Sequence, residues 1–381
     1  MDTLSDTRAK IDAIDAQICE LFARRMACAD ELAAYKREHG LPVLDRSRER
    51  QTLAAAAADV PPELSDYARV LFDLMISISR AEQSRRIAGD ETLERAILDA
   101  RRDTPELFPQ EAEVACQGVE GAYSQLAADR LFRRASITYF PSFEDVFRAV
   151  DEGRCRYGVL PVENSTAGSV NQVYDLMRRH RFSIVRSTRV KVDHNLLALP
   201  GAELSGIRDV YSHQQAIAQC RGFLKTLPGV TVHVADNTAM AAKMVAESGS
   251  TDVAALSSRS CARLYDLVPL ARNVQDSDAN YTRFACISKR LEIYPGAERA
   301  SLMVVTGNEP GSLYQVLARF YALDINVVKL ESRPLPNSDF DFMFYFDLEF
   351  PAAAPEFAPI IGSLGEVCEE FRYLGSYTEV L

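Results

Sequence analysis

Three cations, Arg8, Arg25 and Lys36, stand near the start of the chain inside a helical pattern that should exclude charge. A heptad counted from Leu4 puts Leu4, Ile11, Ile18 and Leu32 on one seam with Ile14 and Leu21 beside it, and Arg25 takes a seam position where an apolar residue belongs. A guanidinium buried there alone is costly, so a protein carboxylate or an anionic ligand is expected to meet it. A helix rises about 1.5 Å per residue, which puts Lys36 roughly 17 Å from Arg25, near enough for two long side chains to converge on one small anion. Arg8 lies roughly 26 Å from Arg25 and roughly 42 Å from Lys36 on the same axis, too far to join them. An antiparallel second copy would bring its own Arg8 into range, so the pattern predicts an intertwined helical dimer whose sites borrow an arginine.

The elements that follow supply company for these cations. After Leu41 and Pro42, Asp45 reads as an N-cap with Arg48 and Glu49 in the next turn. A third helix opens near Pro62 and Glu63, runs an apolar face through Leu64, Leu71, Leu74, Met75 and Ile78, and carries Ser79 and Gln83 at i, i+4. Each alone reads as a surface group or a coiled-coil specificity residue. Together, in the order long helix, short helix, long helix over residues 1–88, they resemble the all-helical chorismate mutases, and none of the eight departs from that family's pattern. The resemblance implies an all-α bundle that holds a dianion in a compact conformer while charge develops on an ether oxygen, without a nucleophile. The arginines would grip carboxylates with their planar forks. By the same resemblance Lys36 and Gln83 would donate to the ether oxygen, with Glu49 protonated or hydrogen-bonded beside it, and Asp45, Arg48 and Ser79 would orient the ring hydroxyl and the carboxylates.

Residues 89–113 are charge-rich and broken by Pro105 and Pro109, and read as a linker with one helix near 93–100. Beyond them the period changes. Short β-type runs at 114–117, 137–140, 156–160, 182–185 and 253–256 alternate with helical stretches, predicting an α/β domain with a largely parallel sheet. The strand ends carry polar loops, residues 118–124 and 161–168, and Asp236, Asn237 and Thr238 open a helix. Ligands bind at such strand ends, and free N–H groups of helix N-termini favour carboxylates. The glycine loop fits neither the P-loop nor the dinucleotide fingerprint, so no nucleotide is indicated.

Read in order, residues 161–168, then Tyr211, Ser212 and His213, then Asn280, Tyr281, Thr282, Arg283 and Phe284 resemble prephenate dehydratases over residues 114–288. Val119 stands where that family usually has proline, Ala122 where it has serine or threonine, and Gln214 where it has a proline after the histidine. The resemblance implies two α/β lobes around a cleft, like periplasmic binding proteins, with the chain crossing near Lys191 and returning near Gln275. Its reaction expels carbon dioxide and water from prephenate, so the enzyme must anchor carboxylates and help hydroxide leave. Thr282 would donate toward the leaving group, with Asn164, Ser165 and Thr166 as anchors, Arg283 near a carboxylate or holding the loop, Phe284 at the substrate, and a relay, a bound water or His213 as the source of the proton.

A join near Tyr294, Pro295 and Gly296 precedes strands at 302–305, 326–330 and 342–348, helices at 311–321 and 359–370, and a final strand. This α+β, ferredoxin-like order resembles the ACT regulatory module over 297–381. Gly311, Ser312 and Leu313, and Glu331, Ser332, Arg333 and Pro334, match its phenylalanine-binding signatures, with Ser312 in place of a usual alanine. The resemblance implies a sensor of L-phenylalanine that can be removed without loss of turnover.

At 381 residues and 47% hydrophobic the chain can fill several cores, and its net charge of -11 argues against nucleic acid or an anionic membrane as partner. Eight cysteines without a CxxC pair and five scattered histidines fit reduced thiols and call for no metal or cofactor. Residues 1–10 hold no apolar run and no stretch is long enough to span a bilayer, which predicts a cytoplasmic enzyme. The combined expectation is a homodimer, or a higher homo-oligomer, that turns chorismate into prephenate and prephenate into phenylpyruvate under feedback from L-phenylalanine. Its rivals are an arogenate dehydratase and a non-catalytic ligand-binding sensor.

Overall fold

The computed structural model describes residues 4–88, 91–308, 310–335, 342–365 and 368–381. Helices α1 (Leu4–His39), α2 (Arg46–Ala58) and α3 (Ser65–Ala88) form the first module, with α3 packed on both others. Asp45 caps α2 by accepting from the backbone N–H groups of Ser47 and Arg48. Small residues fill the contact: Ala29, Ala33, Ala56, Ala57 and Ala68 are buried, whereas the seam residues Leu4, Ile11, Ile14, Ile18, Leu21 and Leu32 remain 44–68% exposed. Leu64, Leu71 and Leu74 of the third element are exposed as well. One chain therefore leaves a long apolar face uncovered.

The stretch read as a linker is instead structural. Helix α4 (Glu91–Asp103) buries Ile97 completely, in one core with Phe320, Phe346 and Phe357 far along the chain.

Strands β1 (Glu111–Gln117), β2 (Arg134–Phe140), β3 (Tyr157–Asn164), β4 (Gly168–Ser169) and β5 (Ser183–Lys191) open the main sheet, with helices α5 (Tyr123–Leu131), α6 (Phe143–Asp151) and α7 (Asn171–Arg179) between them. The chain then crosses to a second sheet built from β6 (Asn195–Ala198), β7 (Asp209–Ser212), β8 (Thr231–Val234), β9 (Val253–Ser257) and β10 (Val268–Ala271). Helices α8 (Gln214–Gln219), α9 (Arg221–Leu224), α10 (Thr238–Ser248) and α11 (Arg259–Leu264) belong to it. It returns as β11 (Tyr281–Ser288), which lies between β3 and β5. The crossing and return fall at the expected places, but the sheet is mixed rather than largely parallel. Re-entry reverses the chain, so β11 runs antiparallel to both neighbours, and β6 is antiparallel to β9 and β10.

The last third runs β12 (Arg299–Val305), α12 (Ser312–Ala322), β13 (Asn326–Pro334), β14 (Phe342–Glu349), α13 (Phe357–Leu364), β15 (Glu370–Val380), with antiparallel order β13-β14-β12-β15. This is the ferredoxin-like arrangement. It is not a detachable unit. Strand β15 continues past its own sheet and pairs parallel with β5, Thr378 opposite Arg186 and Val380 opposite Thr188, which fuses the two sheets into one of ten strands. Met303, Val305, Met343, Tyr345, Leu374 and Tyr377 share a core with Val146, Phe147, Leu160, Tyr174, Met177 and Ile184. Deleting 297–381 would expose that core, so the expectation that turnover survives the deletion is withdrawn.

Gly375 marks the join. Its φ is +122°, and an added Cβ would run into the carbonyl oxygen of Ile184 in β5. Gly375→Ala should therefore lower stability by about 2–4 kcal/mol, read as an earlier transition in urea unfolding. Among the described residues no helix is long and apolar enough to cross a membrane.

Candidate active sites

In the helical module α1 and α3 meet along a polar strip. Arg25 Nη1 donates to the Met75 carbonyl at 2.9 Å, and Lys36 Nζ donates to Gln83 Oε1 at 3.1 Å and to the Val43 carbonyl at 2.6 Å. Because ammonium can only donate, Gln83 must turn its oxygen to Lys36, and its Nε2 then donates to Ser79 Oγ at 3.3 Å. Ser79 and Gln83 are buried. Lys36 retains a third donor and Gln83 a second N–H, the pair needed to hold an oxygen placed beside them. Glu49 faces the same helix through Arg80, whose Nη1 lies 3.6 Å from its Oε2. Arg80 escaped the sequence reading, since nothing in its spacing separates it from a solvated charge.

The remaining predicted residues lie around this strip. Asp45 spends one carboxylate oxygen on the α2 cap, and Arg48 is exposed in the first turn of α2. Arg8 sits on the exposed first turns of the unbroken α1, so the roughly 26 Å of helix rise from Arg25 stands. The structure thus brings Arg25, Lys36, Ser79, Gln83 and Glu49 together and leaves Arg8 apart.

The second site is a cavity of about 370 Å³ between the two sheets. Helices α5 and α10 present their N-termini to it through Tyr123, Ser124, Asn237 and Thr238. Ala122, at the N-cap of α5, offers no side-chain oxygen, so the departure noted in the sequence leaves that helix end without a side-chain cap. Among the described residues lining the cavity none is lysine or arginine. Carboxylates bound there would be held by helix N-termini and amides.

Thr282 stands on its wall, and its hydroxyl is oriented by a chain of bonds that begins at the backbone. The N–H groups of Thr166 and Ala167 donate to Asn164 Oδ1 at 3.1 and 2.9 Å, which fixes that amide. Asn164 Nδ2 must then donate, and does so to Asn280 Oδ1 at 2.8 Å and to Thr282 Oγ1 at 3.0 Å. As an acceptor from Asn164, Thr282 keeps its own hydrogen for a ligand. Asn280 Nδ2 passes the polarity on to Gln219 Oε1 at 2.9 Å, and Gln219 Nε2 donates to Thr166 Oγ1 at 2.7 Å. Since Gln219 Oε1 can only accept, His194 Nε2, 3.0 Å away, is its N–H donor. Gln219 and His194 were not singled out in the sequence. The i, i+4 spacing of Gln215 and Gln219, both on the cavity, was the available signal.

His213 lines the cavity and caps α8, its Nδ1 accepting from the Gln215 N–H at 3.3 Å. Burial lowers the pKa of both His213 and His194, offset in part by Asp236 at the first and by the Gln219 hydrogen bond at the second, so both rings are neutral at pH 7. His213 accordingly carries its proton on Nε2.

Three of the residues expected to bind substrate are placed otherwise. Ser165 is exposed and serves the backbone, donating to the Ala279 carbonyl at 2.7 Å and accepting from the Tyr281 N–H at 3.0 Å. Thr166 braces Asn164 and Gln219 rather than facing the cavity. Arg283 points away altogether, because alternate residues of a strand face opposite sides of a sheet. It lies buried on the far face, donating to Asp347 Oδ2 of β14 and 3.4 Å from Glu163 Oε2. Burial is the largest single influence and works against its charge, but the Asp347 carboxylate together with Tyr377 and Tyr174 outweighs it and raises the pKa. Phe284, facing the same way as Thr282, lines the cavity.

The two motifs of the last third reach one end of their sheet, one strand apart, because Arg333 pairs with Met343 and Met343 with Val305. Gly311, at φ +90°, caps α12, which begins at Ser312, and Leu313 packs on the α4 core. Glu331 Oε2 accepts from Ser169 Oγ at 2.6 Å, and Arg333 grips both carboxylate oxygens of Asp175 at 3.0 Å. Ser332 and Pro334 are exposed.

Comparison with known proteins fits this geometry. The family model described as chorismate mutase type II matches residues 7–84, and the one described as prephenate dehydratase matches 114–292. The chain is 31% identical over 380 residues to the bifunctional chorismate mutase/prephenate dehydratase of Escherichia coli (strain K12), covering 97% of this chain and 95% of that protein. It is 37% identical over 276 residues to the chloroplastic arogenate dehydratase/prephenate dehydratase 2 of Arabidopsis thaliana, covering 69% of this chain and 72% of that one. Among solved structures it resembles the prephenate dehydratase of Arthrobacter aurescens in complex with L-Phe, at 26% identity and TM-score 0.64, over 70% of this chain and 89% of that chain.

Proposed function

Because the chain belongs to the family of bifunctional chorismate mutase/prephenate dehydratases and carries both activities, we propose that the strip on α1 and α3 is its mutase site and the cavity between the sheets its dehydratase site. In the mutase strip Arg25 binds a substrate carboxylate while Lys36 and Gln83 donate to the ether oxygen, with Glu49 beside them and Asp45, Arg48 and Ser79 orienting the rest of the ring. The strip is incomplete in one chain. A second copy, lying antiparallel on the exposed seam of α1, buries that apolar face and supplies its Arg8. Mixing Arg8→Ala chains with Arg25→Ala chains should then restore about a quarter of wild-type mutase activity, since half the dimers are mixed and one of their two sites carries neither lesion. Mutase assays after confirmed subunit exchange check this, and no recovery would refute the antiparallel geometry.

The dehydratase reading rests on one observation, the hydrogen-bond chain that leaves the Thr282 hydroxyl proton free. The two sheets act as lobes closing on prephenate, helix ends hold its carboxylates, and Thr282 donates to the departing hydroxyl as carbon dioxide leaves and the ring becomes aromatic. Neither this alcohol nor the Nε2–H of neutral His213 is acidic enough to give up its proton, so both act as hydrogen-bond donors and the group departs as hydroxide, to be neutralised by solvent. The last third acts as an ACT module that binds L-phenylalanine at Gly311–Leu313 and Glu331–Pro334, a reading supported by the L-Phe complex of the Arthrobacter aurescens protein. The test is to supply chorismate to the purified protein and measure phenylpyruvate with and without L-phenylalanine. Prephenate and arogenate offered in parallel distinguish the dehydratase substrates.

A further inference from the structure

Asn164, which aims Thr282, sits near the tip of a hairpin formed by β3 and β4, whose paired base residues are Glu163 and Ser169. Both base residues are held from outside the catalytic sheet region by one side chain. Lys329 of β13 places Nζ 3.0 Å from Glu163 Oε1 and 2.9 Å from Ser169 Oγ, with its ammonium 5.3 Å from the centre of the Tyr174 ring. Its side chain is only 12% exposed. Ser169 in turn donates to Glu331, two residues along the same strand as Lys329, and the second oxygen of Glu163 faces Arg283.

We propose that Lys329 is a positioning residue for the dehydratase reaction: it clamps Glu163 and Ser169 at the base of the hairpin and, through Asn164, sets the direction of the Thr282 hydroxyl. An ammonium group suits this place, being a compact charge that can donate to a carboxylate and a hydroxyl at once. A hairpin whose two strand bases are bridged by one ammonium has little freedom to twist at its tip, whereas two strand residues alone pin it weakly. The clamp comes from the C-terminal sheet, so any shift of β13 against β3 and β4 reaches the hydroxyl that assists the leaving group.

The inference rests on the reading of Thr282 given above, and the test separates the two. Lys329→Met keeps the stem over Tyr174 and removes the donors. Its dehydratase kcat should fall about tenfold or more, since small displacements of a catalytic group are costly, while KM for prephenate moves less than about threefold. Mutase activity of the same preparation reports a folded chain, and Lys329→Arg should recover most of the loss. In a Thr282→Val background Lys329→Met should change nothing further, because both act on one donor. Wild-type kcat in Lys329→Met, a loss confined to KM, or an additive loss in the double variant would overturn the clamp. If Lys329→Met does not fold, Ser169→Ala, which removes one anchor only, should show a smaller loss with the same kcat pattern, and unchanged turnover there would overturn it equally. Thr282→Val with full turnover would instead overturn the reading of the cleft.

Discussion

Thr282→Val should lose about 10²–10³-fold in dehydratase kcat, the usual cost of removing one hydrogen-bond donor aimed at developing charge. The substitution keeps shape and branching, and the network around it survives. Asn164 Nδ2 still finds Asn280 Oδ1 at 2.8 Å and the Tyr281 carbonyl at 3.3 Å, so both its hydrogens keep acceptors. The loss should therefore fall on turnover, with KM for prephenate little changed and mutase activity intact. Thr282→Ser, which keeps the hydroxyl but can rotate it, should lie between the two. Steady-state kinetics on purified prephenate decide the matter. A valine variant within tenfold of wild type would move the principal donor elsewhere, with His213 the first place to look.

Lys36→Ala should cost on the order of 3 kcal/mol in the mutase step, the scale of a single lost donor to a developing oxyanion. The geometry explains why no neighbour can substitute. Without Lys36 the carbonyl oxygen of Gln83 loses its partner, and the amide is free to turn that oxygen toward the substrate's ether oxygen, replacing attraction with repulsion. Lys36 also ties the turn after α1 through the Val43 carbonyl, so a structural contribution has to be separated from the catalytic one. Dehydratase activity on supplied prephenate separates the two, because that cavity lies in a different part of the fold. Equal loss of both activities would show that Lys36 holds the protein together.

Much of the mutase strip was legible because helical periodicity carries its own geometry. Arg25 on an apolar seam, and Ser79 and Gln83 one turn apart, can be placed from spacing alone. The dehydratase cavity was half legible. Thr282, Asn164, His213 and Phe284 lie on it, yet Arg283 was assigned to it although the period of two along β11 already put it on the other face. Thr166 and Ser165 were misplaced for another reason: a loop gives no period, and their bonds run to Gln219 and Ala279, residues distant in sequence. The fused sheet was the least legible feature. Nothing local in Thr378, Glu379 and Val380 marks them as partners of Arg186, Ser187 and Thr188, and the ferredoxin-like order is complete without that pairing. Helix α4 was expected near 93–100, but its amphipathic face at Leu93, Ile97 and Ala100 does not say which core it enters, so its structural role stayed hidden.

The pairing of β15 with β5 also sets an order of events during synthesis. The Thr188 hydroxyl donates to the Val380 carbonyl across 192 positions of chain, so the ten-stranded sheet cannot close until long after most of its strands have left the ribosome. The helical module, made of contacts between near neighbours, has no such wait. Until the last strand arrives, the unfilled edge of β5 and the apolar residues beneath it stay open to wrong partners. The nascent protein is thus most vulnerable to aggregation until β15 emerges, and conditions that slow synthesis between β11 and β15 should harm the dehydratase half more than the mutase half.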